Sequence, residues 1–162
     1  MKVIVHDLGR EYDGLLEAKC DRMITADGKY APCQGCFGCW TKHPAECYIK
    51  DKLHQACRII GQADELVIVT RNLYGEYSPA VKNVLDRAIG SSTPFSTYRG
   101  GQMHHTLRYG RHGLRKVIVF GDITEAEQAT FRLRAERNAI NEGTDRAEVV
   151  FVSDLTGLEA IV

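Results

Sequence analysis

Apolar residues gather along this chain in short unbroken runs, separated by longer amphipathic stretches. Leu66, Val67, Ile68 and Val69 follow one another without alternation, the pattern of a strand buried on both faces of a parallel sheet. Comparable runs predict strands over residues 2–7, 116–120 and 147–152, with a weaker candidate over 20–26. Between them the period lengthens to that of a helix. Asp51 is placed to cap a helix over residues 52–61, with Leu53, Ala56, Cys57 and Ile60 along one face. Ser78 before Pro79 starts a second, striped by Val81, Val84, Leu85 and Ala88. Thr124 and Glu127 have capping-box spacing for a long polar helix to about residue 141, closed by Gly143. Residues 91–113 show no clear period and read as an inserted loop.

Strands alternating with helices give an α/β fold with an open parallel sheet of five strands. A chain of 162 residues makes one such domain, carrying a cysteine-rich loop over residues 31–50. Ligands of these sheets bind beyond the carboxyl ends of the strands. Residues 7–12, 70–78 and 121–124 arrive there, and the cysteine loop is expected to hang over the same edge.

Charge narrows the partners. The chain has 21 basic and 21 acidic residues, so neither a nucleic-acid surface nor a membrane-docking face is expected. The apolar run at the N-terminus is too short for a signal peptide. A cytoplasmic, reducing setting follows as the expectation, and there clustered cysteines point to metal or redox chemistry rather than structural disulfides.

Four of the six cysteines, Cys33, Cys36, Cys39 and Cys47, are spaced C-x2-C-x2-C-x7-C. The first three have ferredoxin-like spacing, and Cys47 completes a ligand set for a 4Fe–4S cluster. Zinc takes the same four ligands, and free thiols or a reversible disulfide complete the alternatives. Gly35 and Gly38 leave the loop free to wrap a metal, and His43 is a further candidate ligand within it. Cys20 and Cys57 stand apart and read as small buried hydrophobes. His104 and His105 read as surface or interface residues, Lys82 and Arg87 as solvated or paired with Asp86, and the arginines of the 124–141 helix as a solvated face.

The stretch from Thr70 to Arg87 resembles the strand-to-helix loop of flavodoxin-like NAD(P)H-dependent FMN reductases and iron–sulfur flavoproteins, matching at Thr70, Tyr74, Gly75, Ser78, Lys82, Asp86 and Arg87. The Cys-x-Gly-Cys-x-x-Cys pattern leading into Cys47 and Asp51 is similar to the same family's cysteine motif. The resemblance implies an oxidoreductase with FMN at the sheet edge, fed by NAD(P)H or by a cluster. It implies flavin contacts from Thr70, Arg71, Asn72, Leu73, Tyr74, Gly75 and Glu76, phosphate contacts from Gly9 and Arg10, and electron relay or metal binding by the four cysteines. No side chain is implied as a catalytic acid or base, because the flavin carries the electron chemistry.

The chain also departs from that family. The family's phosphate loop is rich in Ser, Thr and Gly; here it runs His6, Asp7, Leu8, Gly9, Arg10, Glu11, Tyr12, and the family's proline and usual tyrosine of the flavin loop are Arg71 and Leu73. These departures keep two other readings open: a non-catalytic flavodoxin-fold dimerisation or regulatory subunit, and a zinc- or redox-sensing module. The family's first and last helices cover one face of the sheet. Here the first is short and the last is missing, so the face is expected to be bare and covered by a second copy or by another flavoprotein.

Overall fold

In the computed structural model, which describes residues 1–110 and 112–162, the predicted runs form one parallel sheet. Chain order is β1 (Lys2–His6), α1 (Asp13–Glu17), β2 (Arg22–Thr25), α2 (Ala56–Gly61), β3 (Glu65–Arg71), α3 (Pro79–Arg87), β4 (Ser92–Arg99), β5 (Gln102–Leu107), β6 (His112–Phe120), α4 (Glu125–Glu142), β7 (Thr144–Val152) and α5 (Leu158–Ile161). The sheet runs β2-β1-β3-β6-β7, the flavodoxin-like order. Ile4 lies opposite Val67, and Val69 opposite Ile118.

Strand side chains alternate between two apolar layers. Val3, Val5, Leu66, Ile68, Val117 and Val119 pack under α2, α3 and α4 against Ala56, Ile60, Val81, Val84, Phe131 and Ala135. Ile4, Val67, Val69 and Ile118 face the other way, against Leu8, Leu16 and Leu158. That second face is not bare. The expected missing last helix is a single turn, α5, which buries Leu158 while Leu155, Ile161 and Val162 pack around it. The central strands beneath are fully covered by this chain alone. An uncovered sheet face therefore gives no ground for a partner.

Two further expectations change. The 91–113 segment holds an antiparallel hairpin, β4–β5, with Thr97 opposite His104 and turning at Gly100 and Gly101, both at positive φ. Its side chains are mostly exposed or half-buried, so no apolar period marks it. The helix expected from residue 52 begins at Ala56, after turns over residues 52–55. Its buried face, Leu53, Ala56, Cys57 and Ile60, is as predicted. Ser78 caps α3, and Thr124 with Glu127 makes both bonds of the capping box on α4.

Candidate functional site

Two candidate sites lie at opposite ends of α3. At its C-terminal end the cysteine loop folds so that Cys33, Cys36, Cys39 and Cys47 all line one cavity of about 110 Å³, together with Phe37, Tyr48, Ile49, Arg87 and Ile89. Gly35, Phe37 and Ala45 adopt positive φ, which turns the loop back on itself. Gly90 lets two thiols approach the chain: a Cβ there would lie 2.8 Å from both Cys39 Cβ and Cys57 Sγ. The Trp40 ring stacks on Phe37 at 4.9 Å, packs on His105 at 4.5 Å, and donates its N–H to the Ile89 carbonyl at 3.0 Å. A larger cavity of about 530 Å³ between α3, α4 and the hairpin adjoins this one through Cys33, Gly35 and Ile89.

The loop is locked by Arg87. This arginine, read from sequence as solvated or paired with Asp86, is 1 % exposed, while Asp86 pairs with Lys82. Its guanidinium binds both oxygens of Asp51 at 2.8 and 2.9 Å and donates to the Ala31 and Ile49 carbonyls at 2.7 and 3.3 Å. Asp51 accepts in turn from the N–H groups of Ala31 and Leu53, each at 3.0 Å. The hydrogen bond from Arg87, with these backbone donors, holds the Asp51 carboxyl at about 2. One ion pair thus ties the two ends of the cysteine loop to α3. The buried Arg87 Nε has no hydrogen-bond partner, and its side chain lines the cysteine cavity.

The thiols are not equivalent. A hydrogen bond with Cys57 lowers Cys39 to about 7, and the same bond together with burial pushes Cys57 up. Cys20 donates to the Leu16 carbonyl and lies away from the cluster of thiols. His43 does not line the cavity. Among the described residues no three His, Cys, Asp or Glu side chains converge closely enough to hold a single metal ion. A cubane binds each sulfur through a different iron, so its ligands stand further apart around a wider space.

The second candidate is the carboxyl edge of the sheet, where α3 begins. An open depression of about 620 Å³ is lined there by Asp7, Ala26, Asp27, Gly28, Arg71, Ser78, Pro79, Ala80 and Asn83. Thr70 is fully buried and holds the loop together: its hydroxyl donates to Asp7 at 3.2 Å and accepts from the Ser78 N–H at 3.0 Å. Leu73 and Glu76 exchange backbone bonds at 3.0 and 3.1 Å around Tyr74 and Gly75, both at positive φ, the geometry of a tight two-residue hairpin turn. Asn72 braces that turn by accepting from the Gly75 N–H at 3.0 Å and donating to the Asp122 carbonyl at 2.8 Å. Tyr74 projects from the tip, 85 % exposed. Glu76 pairs with Arg134.

The loop after β1 is built differently from a phosphate cradle. Asp7 points both carboxylate oxygens at the Arg71 N–H, each 3.2 Å away. A Cβ on Gly9 would run into both carboxylate oxygens of Glu11, which folds back over the start of the first helical turn. Arg10 is exposed beside it. Behind the loop, buried His6 lies 3.5 Å from Asp13, and burial lowers its pKa despite that neighbour.

The two sites share no lining residue. Pro79 is at one and Arg87 at the other, eight helical residues or about 12 Å apart. The cysteine loop therefore does not hang over the ligand edge as expected. It was the Asp51–Arg87 pair, invisible to spacing and period, that drew it to the far end of the helix.

The sequence model of the NADPH-dependent FMN reductase family matches residues 15–114, well over half of the chain. The chain belongs to that family. Similar solved structures include azoreductase AzrA (11 % identity, TM-score 0.59, 98 % of this chain and 89 % of that one) and an FMN-dependent NADH-azoreductase from Bacillus anthracis in complex with FMN (12 %, 0.57, 99 % and 92 %). An NADH:FMN oxidoreductase, EmoB, in its apo form, is similar at 15 % identity and TM-score 0.55, covering 99 % of this chain and 79 % of that one. At these identities the likeness shows the fold. No curated protein matches the chain. Among the described residues no helix is long and apolar enough to cross a membrane.

Proposed function

We propose that this member of the NADPH-dependent FMN reductase family is an NAD(P)H-dependent flavin oxidoreductase that also holds a 4Fe–4S cluster. The observation that carries the cluster is the convergence of Cys33, Cys36, Cys39 and Cys47 on one cavity backed by the buried, partly unpartnered Arg87. A thiolate-ligated cubane is anionic, and a buried guanidinium suits it. A single zinc ion is less well served by the same sulfurs, which do not close on one point.

For the flavin the fit divides. The ring half has a braced, rigid loop in Asn72–Glu76, an exposed Tyr74 and a depression in the size range of small-molecule sites. The phosphate half does not fit, because Asp7 and Glu11 stand where the dianion would lie. When bound, a flavin takes hydride from a reduced nicotinamide and passes electrons on. This chain's residues would orient it: Arg71 and Ser78 flank the depression, and the turn at Tyr74 and Gly75 stands outside its lining, against α4.

The same carboxylates favour a second reading, a flavodoxin-fold partner subunit without flavin. We also propose a homodimer, through the hairpin that exposes Phe95, Tyr98 and Met103; sedimentation of hairpin variants tests it. Protein purified without oxygen is expected to carry about four irons and matching labile sulfide per chain, and to oxidise NAD(P)H when a flavin is supplied. Iron without flavin reduction supports the partner reading. Neither iron nor flavin reduction refutes the proposal.

A further inference from the structure

We infer that the sheet edge takes a flavin whose side chain carries no phosphate, riboflavin rather than FMN. The inference rests on the flavin reading above and names its substrate class. Two carboxylates occupy the ground a phosphate needs. Asp7 already takes the Arg71 N–H and the Thr70 hydroxyl, both donors at the end of β3. Glu11 lies over Gly9, so the first helical turn faces a negative charge supplied by the protein itself.

The cations nearby are partly engaged elsewhere. Lys52 is paired with Asp27 on the far side of the depression. The Arg71 guanidinium lies 5.6 Å over the Phe120 ring. Arg10 is exposed next to Glu11 and donates one charge at most. A phosphate dianion entering here meets like charges at short range. A ribityl chain is different chemistry: its hydroxyl groups are neutral donors, and Asp7 and Glu11 are acceptors with lone pairs to fill. The edge therefore satisfies the sugar alcohol and repels its phosphate ester, which makes the flavin an exchangeable substrate rather than an anchored group.

The test is fluorescence quenching of riboflavin and of FMN by the full chain, at low and at moderate salt. Riboflavin is expected to bind at least about tenfold more tightly than FMN, with the gap narrowing as salt rises. Glu11→Gln, a change on an exposed side chain, should tighten FMN severalfold and so narrow the gap between the two flavins. FMN binding as tightly as riboflavin in the unaltered chain overturns the selectivity while leaving the oxidoreductase reading intact. Quenching of neither flavin overturns that reading, and the selectivity with it.

Discussion

The two ends of α3 treat charge in opposite ways. At its C-terminus a guanidinium is buried to 1 % exposure and tied to Asp51 and two carbonyls, beside a small cavity lined by four cysteines. At its N-terminus two carboxylates line an open depression, Asp7 held by neutral donors from the backbone and a threonine and Asp27 paired with Lys52. The first end is fixed and suits an anion that stays. The second is open and suits a neutral polyol that comes and goes. Family membership alone would have assigned the anion to the second end.

The largest effect tests the fixed end. Asp51→Ala strands a buried guanidinium, and about 3–5 kcal/mol of stability should be lost in denaturant unfolding, with iron content falling alongside. Cys36→Ser should abolish the cluster while changing stability far less, since Cys36 is exposed. If the serine variant retains full iron, the cavity is not the metal site.

Acid sharpens the same comparison. The Asp51 carboxyl is held at about 2 in the folded chain, below the near-4 value of an unfolded aspartate. Its contribution is complete above pH 4, shrinks as pH falls toward 2 and vanishes below that. Linkage gives it about 2 kcal/mol at neutral pH. A pH series of unfolding midpoints should show this drop, and Asp51→Asn should remove it. A Glu11→Gln exchange at the open end is expected to leave the midpoint within about 0.5 kcal/mol while shifting flavin preference. Smallest of all, Tyr74→Ala should leave stability unchanged within the same margin, because the ring is 85 % exposed, yet weaken flavin binding measured by quenching.

The central strands were legible because burial on both faces demands unbroken apolar runs, as at residues 66–69. Ser78, Thr124 and Gly143 announced their caps by residue type alone. The hairpin was not legible, since its exposed Phe95, Tyr98 and Met103 pack against nothing that would impose a period. Nor was the covering of the second face, which depends on a few apolar residues around Leu158 too sparse to announce a helix. The close spacing of the four cysteines left them lining one cavity. Where they meet depended on Arg87 reaching Asp51 across 36 residues of chain, a long-range ion pair that no local pattern encodes. The acids of the β1 loop were visible in the sequence, but only their fold back over Gly9 and onto Arg71 shows that they fill the cradle.

The clasp between Arg87 and Asp51 is an ion pair of nitrogen and oxygen, with Cys47 as a further neighbour of the guanidinium. For the proposed cubane the clasp would shape a nest before the cargo arrives, and assembly would become a matter of loading a finished protein. Iron and sulfide supplied to the native apo chain should enter without any unfolding step, and stripping them should leave the secondary structure as it was.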